Sequence, residues 1–154
     1  MAAIPDRCEV VVVGGGVIGV SVAYHLAEAG IQDVVLLERK ELTSGTTWHA
    51  AGLVGQLRTS INMTQLARYT SQLYRGLEEE TGQATGYRQC GSISIAATAE
   101  RFEELKRSAS MAKVFGLEVN VLSVGEIAEK YPLIQTDDLF GGCLLYTSDA
   151  ADEV

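Results

Sequence analysis

Val10-Val11-Val12-Val13-Gly14-Gly15-Gly16-Val17-Ile18-Gly19 is the stretch whose reading decides the fold. Val10 to Val13 is an unbroken β-branched run, the pattern of a strand buried on both faces of a parallel sheet. A glycine turn follows with no spacer. Gly14 permits the tight turn, Gly16 lets a pyrophosphate approach the backbone, and Gly19 lets the next helix sit close to the strand. The period from Val17 to Ala29 is helical, with Ile18, Val22, Leu26 and Ala29 on one face and Gly30 at the stop. Val17 and Ile18 are therefore first-turn residues, whose unpaired amides add to the helix dipole as a seat for phosphate. Val34 to Leu37 predicts a second strand, closed by Glu38 nineteen residues beyond Gly19. A carboxylate there can accept both hydrogens of a ribose diol. Strand, turn, helix, strand and terminal acid in that order predict a dinucleotide-binding α/β unit.

The turn alone does not separate a nicotinamide from a flavin dinucleotide, because both share the adenosine diphosphate half. Other segments discriminate better. They are Leu36-Leu37-Glu38-Arg39, Leu42-Thr43-Ser44-Gly45-Thr46-Thr47-Trp48-His49-Ala50-Ala51-Gly52-Leu53, Leu77-Glu78-Glu79-Glu80-Thr81-Gly82 and Gly91-Ser92-Ile93. On these residues the chain resembles the FAD-dependent amine oxidoreductases of the glycine oxidase and D-amino acid oxidase group, and among them the sarcosine and dimethylglycine dehydrogenases. The resemblance implies a fold of the α/β class, a Rossmann-like FAD-binding domain with a parallel sheet followed by the start of an α+β substrate domain. Residues 1–142 would be the N-terminal part of the oxidoreductase domain, with residues 8–60 as its dinucleotide-binding core.

The resemblance also implies a cofactor site. Gly14, Gly16, Val17, Ile18 and Gly19 would hold the pyrophosphate, with Glu38 and Arg39 at the adenosine end. Gly45, Thr46, Thr47, Trp48, His49, Ala50, Ala51, Gly52 and Leu53 would lie along the cofactor. In the family the loop histidine is joined covalently to the 8α carbon of the flavin, and His49 is the matching position. A neutral imidazole nitrogen suits such a bond, whereas a protonated ring does not. Thr46 and Thr47 offer hydroxyls, and Gly45 and Gly52 let the backbone come close. Trp48 stays open between a core anchor and a flavin neighbour. His25, within the first helix, and Arg58 and Tyr87 further on read as packing or surface residues.

The implied reaction is oxidation of an N-methylated amine of the sarcosine or dimethylglycine type by hydride transfer to FAD, with flavin supplying the difficult chemistry. The implied partners are the amine and an electron acceptor, either a flavoprotein or oxygen, with folate binding in the region beyond residue 142. No catalytic acid or base and no metal ligand is assigned. By themselves, residues 1–154 are expected to bind FAD poorly and turn over no amine. Three alternatives remain. One is a non-covalent FAD oxidase of glycine or another amino acid, and another is a nicotinamide dehydrogenase. The third is a non-enzymatic relative like the pyruvate dehydrogenase phosphatase regulatory subunit, whose similar sequence lacks the attaching histidine; His49 speaks against it.

Composition agrees with a globular oxidoreductase piece. Apolar residues make up 47% of the chain, no apolar run reaches membrane-spanning length, and a net charge of -8 without a basic cluster argues against a nucleic-acid surface. The first seven residues are too short for a secretory leader and are not rich in arginine. The expected location is cytoplasmic in a bacterium and the mitochondrial matrix in a eukaryote. Cys8, Cys90 and Cys143 have no metal or CxxC spacing, and an odd count opposes a disulfide framework. Cys8 and Cys90 read as small packing residues.

Further along, Asn62 with Gln65 predicts a capping box, and Leu66, Tyr69, Leu73 and Leu77 the face of a helix ending near Gly82. Ser92 to Ala97 alternates like a strand, Thr98 starts a helix through about Phe115, and Val119 to Leu122 reads as another strand. Ser123 with Glu126 predicts a second capping box before a short helix stopped at Tyr131-Pro132. Cys143-Leu144-Leu145-Tyr146-Thr147-Ser148-Asp149-Ala150-Ala151-Asp152-Glu153 can be encoded by a transposase adapter used in preparing sequencing libraries. Residues 143–154 are therefore expected to be an adapter-derived, non-native tail and are set apart from the fold argument.

Overall fold

The computed structural model describes residues 5–146. The chain divides into two compact units, Met1–Leu53 and Val54–Val154. The first unit holds β1 (Val10–Val13), α1 (Val17–Glu28), β2 (Val34–Leu37) and a single 3-10 turn over Thr46–His49. The strands pair in parallel, Val10 opposite Val34 through Val13 opposite Leu37, with α1 as the crossover. Strand, helix and strand bounds follow the periodicity, and Gly30, at φ 87, takes the left-handed position that ends the helix.

One expectation fails here. Val12 is buried, but Val11 is 52% and Val13 82% exposed, so β1 is not covered on both faces. With β2 as the one strand paired to β1 in this unit and α1 packed over the pair, part of the β-branched run has nothing against it. Cys8 is half-buried, while Cys90, expected to pack, is exposed.

The second unit is α+β. Its helices are α2 (Ile61–Thr81), α3 (Ala99–Val114) and α4 (Val124–Lys130), and its strands are β3 (Ser92–Ala96), β4 (Val119–Leu122) and β5 (Gly141–Leu145). The strands form an antiparallel sheet in the order β3-β5-β4. Cys143 and Leu145 face α3 together with Ala96 and Val119, where Leu105, Ala109 and Ala112 recur at helical spacing. Leu144 points to the other face and packs with Leu122 and Ile127 of α4. Two adjacent glycines let both layers approach. A Cβ on Gly141 would lie 2.5 Å from Phe102, and one on Gly142 would lie 3.0 Å from Ile127 Cδ1.

The central strand lies where the sequence reading stopped. Cys143, Leu144 and Leu145 were set apart as tail, yet they fill β5, and Tyr146 N–H donates to Glu118 O at 3.3 Å. Their small and branched apolar side chains alternate between the two faces, which is all that a central strand requires of them. The rest of the expected tail lies outside the described residues.

The cap of α2 also differs. Ser60, not Asn62, is the N-cap, its hydroxyl accepting the Met63 N–H at 3.4 Å, because its extended backbone sets Oγ over the first turn. The buried positions of α2 are Thr64 and Ser71, while Leu66 and Tyr69 of the expected apolar face stand 58% and 43% exposed. Thr64 explains the rotation. Its Oγ1 accepts from Arg58 N–H at 3.1 Å and donates to Arg58 O at 3.3 Å, so it is buried with its hydrogen bonds made. The Thr98 cap and the Ser123–Glu126 capping box form as read. Among the described residues no helix is long and apolar enough to cross a membrane.

Ile127 is fully buried under the sheet. Ile127→Ala is expected to cost about 2–5 kcal/mol and Ile127→Val about 1 kcal/mol in urea unfolding of the full chain. Equal midpoints for the two variants would show that this contact carries little of the fold.

Candidate cofactor-binding site

The site is built on the first unit's backbone. Gly14 N–H donates to Leu37 O at 2.8 Å, adding one rung to the strand pair before the turn departs at φ 107. Gly19 then brings the helix down onto the turn: a Cβ there would sit 1.8 Å from Gly14 O. No L side chain fits that gap. Gly16, the N-cap of α1, has no side chain to cap the helix, and a Cβ on it would come 3.1 Å from Thr47 Oγ1. The first-turn amides, which no intrahelical carbonyl can reach, are thereby left to a loop side chain or a ligand.

Thr47 is that side chain in this structure. Its Oγ1 accepts the Val17 N–H at 2.9 Å, so a residue expected along the cofactor is found closing the helix start. Gly15, to which the sequence reading gave no role, is buried at the centre of the arrangement. Its N–H donates to Glu38 Oε2 at 2.7 Å, its carbonyl accepts Thr43 N–H at 2.8 Å, and a Cβ on it would meet Leu42 at 2.6 Å. The third glycine in a row was the available signal.

Glu38 is held from both sides, Oε1 accepting Lys40 N–H at 2.9 Å. These two backbone donors, Gly15 first and Lys40 second, hold its carboxyl below the ordinary glutamate range and keep it charged. Each oxygen retains a second lone pair, so a ribose diol can still be accepted alongside the backbone amides. Arg39 is exposed next to it.

The loop carries the remaining expected residues. Thr46 to His49 make the 3-10 turn, and Gly45, Ala50, Ala51, Gly52 and Leu53 flank it. Trp48 is 78% and Leu53 90% exposed, so Trp48 is not a core anchor of this unit. His49 is exposed in the last position of the turn. The unit thus brings Gly14, Gly16, Val17, Gly19, Glu38 and Thr47 into contact with one another through Gly15, Leu42 and Thr43, and presents Trp48, His49 and Leu53 outward. His25 lies on α1 with Nδ1 2.6 Å from Ser21 O, a packing role. Arg58 and Tyr87 belong to the second unit, where Arg58 is exposed and the Tyr87 ring lies 5.7 Å from that of Tyr74.

A parallel β-α-β unit with a side-chain-free turn, a helix start capped only by a loop hydroxyl and an ionised acid at the second strand's end defines a dinucleotide-binding unit. The residues fit the adenosine diphosphate half of FAD on the observation that a side chain at Gly16 or Gly19 would collide with the turn or its loop. Residues 9–152 match the family model described as FAD dependent oxidoreductase, and the chain belongs to that family. It is 46% identical over 137 residues to the mitochondrial dimethylglycine dehydrogenase of Rattus norvegicus, covering 89% of this chain and 16% of that protein. To the mitochondrial sarcosine dehydrogenase of Mus musculus it is 49% identical over 139 residues, covering 90% and 15%. The mitochondrial pyruvate dehydrogenase phosphatase regulatory subunit of Mus musculus is 44% identical over 139 residues, covering 90% and 16%. A solved glycine oxidase from Geobacillus kaustophilus superposes with a TM-score of 0.77 at 30% identity, covering 92% of this chain and 40% of that one. The chain therefore spans about 15–16% of the length of the curated relatives it matches.

Two outcomes test this geometry. Gly19→Ala is expected to abolish hydrogen-exchange protection in α1, whereas Gly45→Ala, where a Cβ meets nothing within 4 Å, leaves it unchanged. The depressed pKa of Glu38 means that its contribution is complete at neutral pH and is lost as pH falls below the ordinary glutamate value of 4.5 and through the lower folded one. Glu38→Gln should therefore flatten the acid limb of a pH-stability profile and leave the region above pH 7 without slope change.

Proposed function

We propose that the protein to which this chain belongs oxidises N-methylated amines of the sarcosine or dimethylglycine type with FAD as electron acceptor. The observation that carries the reading is the Gly15–Glu38–Thr47 arrangement around the start of α1, in a chain at 46–49% identity to dimethylglycine and sarcosine dehydrogenases. Bound FAD supplies a two-electron acceptor for the carbon next to the amine nitrogen.

The chain's own residues bind and orient. Glu38, already ionised, accepts the adenosine ribose hydroxyls, with Arg39 beside it. Gly14, Gly16 and Gly19 leave room for the pyrophosphate, and the Val17 and Ile18 amides take its negative charge at the helix start. Thr47 releases the Val17 N–H to the phosphate when the cofactor enters. Gly45, Thr46, Trp48, Ala50, Ala51, Gly52 and Leu53 line the path of the cofactor, and His49, exposed at the end of the 3-10 turn, is its covalent attachment point. The partner that reoxidises the reduced FAD is a flavoprotein or oxygen, and in a eukaryotic host the enzyme works in the mitochondrial matrix, in keeping with the mitochondrial relatives. We propose as well that residues 143–154 are not native. That residues 143–153 can be encoded by an adapter supports this, and the uninterrupted reading frame in source DNA tests it.

The test uses the full-length protein. Denaturation should leave yellow colour on a peptide containing His49, and His49→Ala should keep bound FAD but lose it on denaturation. Anaerobic sarcosine or dimethylglycine should bleach the flavin absorbance. Glu38→Ala should raise the FAD dissociation constant roughly tenfold or more, the scale of a lost charge-assisted hydrogen bond. Colour that leaves on denaturation with glycine turnover intact would support a non-covalent oxidase, and absence of bleaching by any amine would support a regulatory protein.

A further inference from the structure

We propose that the loop from Thr43 to Gly52 is a strap closed over the start of α1, which must swing away before a dinucleotide can seat its phosphates there. This gate is an addition to the FAD reading and rests on it. Three contacts hold the strap down, all within the first unit. Thr43 N–H donates to Gly15 O at 2.8 Å, and Val17 N–H donates to Thr47 Oγ1 at 2.9 Å. Leu42, just ahead of the strap, covers Gly15 so closely that a Cβ there would meet its Cδ2 at 2.6 Å. From Glu41 to Ala50 every residue is exposed except Thr47, which is half-buried. Beyond Thr43 the strap is therefore held by one side chain.

Thr47 stands in the space that the glycine turn leaves. Its Oγ1 would lie 3.1 Å from a Cβ on Gly16, so it fills the approach that the missing side chain opens, and it takes the amide that a phosphate oxygen would take. One N–H is a single donor and cannot serve both acceptors fully. Phosphate wins the exchange, because a hydrogen bond to an anion is roughly twice as strong as one to a neutral hydroxyl. Backbone conformation marks where the strap bends. Thr43 is the one residue other than glycine with a left-handed backbone among the described residues, at φ 63, an outlying conformation for a β-branched side chain. At the far end Gly52 stands at φ 72, and a Cβ on it would meet nothing within 4 Å. Strain at Thr43 belongs to the closed form and favours release. Trp48 and His49 follow Thr47 in the same 3-10 turn and travel with it, so phosphate capture and the movement of His49 are one event.

The test uses the full-length protein carrying His49→Ala, so that FAD stays exchangeable, after FAD has been stripped from it. Stopped-flow quenching of flavin fluorescence gives the rate of FAD uptake, and hydrogen exchange gives the protection of the Val17 amide. Thr47→Ala should open that amide to exchange and speed uptake roughly two- to tenfold, the worth of one neutral hydrogen bond. Thr47→Ser, which keeps the acceptor, should match its parent. Thr43→Gly, which adopts the closed backbone without strain, should slow uptake. Uptake unchanged or slower in Thr47→Ala, or unchanged or faster in Thr43→Gly, would overturn the gate and leave the FAD reading standing. A parent protein that takes up no FAD at all would sink both.

Discussion

The contact between Gly19 and the Gly14 carbonyl is the constraint on which the first unit rests. Hard-sphere exclusion, not attraction, makes it specific: with a Cβ position only 1.8 Å from that oxygen, the helix can approach the turn only if the residue is glycine. Once α1 is seated there, its first-turn amides stand over the glycine turn, and Gly15 faces the end of β2. Glu38 is fixed by that placement. Among the described residues Val12 is the one buried apolar residue of the unit, so backbone contacts and the Gly14, Gly15 and Val17 hydrogen bonds carry a share of the order that a core supplies elsewhere.

The second unit is organised in the opposite way. Nearly all of the buried apolar side chains belong to it, and they divide by strand alternation into a layer under α3 and a layer under α4. Gly141 and Gly142 let Phe102 and Ile127 descend onto β5 from opposite faces, so the glycine pair does for two layers what Gly19 does for one helix. Cys143, Leu144 and Leu145 continue the same strand because alternation and modest volume suffice at those positions. A segment read as foreign can therefore occupy a central strand without disturbing its register.

An anionic side chain beside the turn proposed to hold a pyrophosphate raises an electrostatic question. Glu38 lies within hydrogen-bond reach of the turn, yet its charge is spent on the Gly15 and Lys40 amides, which hold it ionised. The positive end of the α1 dipole stays available to the phosphate of the proposed dinucleotide. The acid takes the Gly15 and Lys40 amides and leaves those of the first turn of α1 to the proposed phosphate, so the proposed dinucleotide would meet donors and an acceptor side by side.

Much of this was legible in the chain itself. The runs Val10–Val13 and Val34–Leu37, the period of α1, the Thr98 cap and the Ser123–Glu126 box are local patterns, and local geometry enforces them. The glycine spacing and Glu38 were readable for the same reason, since a tight turn and a strand-terminal acid are set by residues close in sequence. Thr47 on Val17, Gly15 on Glu38, the buried Thr64–Ser71 side of α2 and the placing of β5 between β3 and β4 were not. Each depends on which distant backbone group comes within hydrogen-bonding or van der Waals range, and only the folded chain sets those distances.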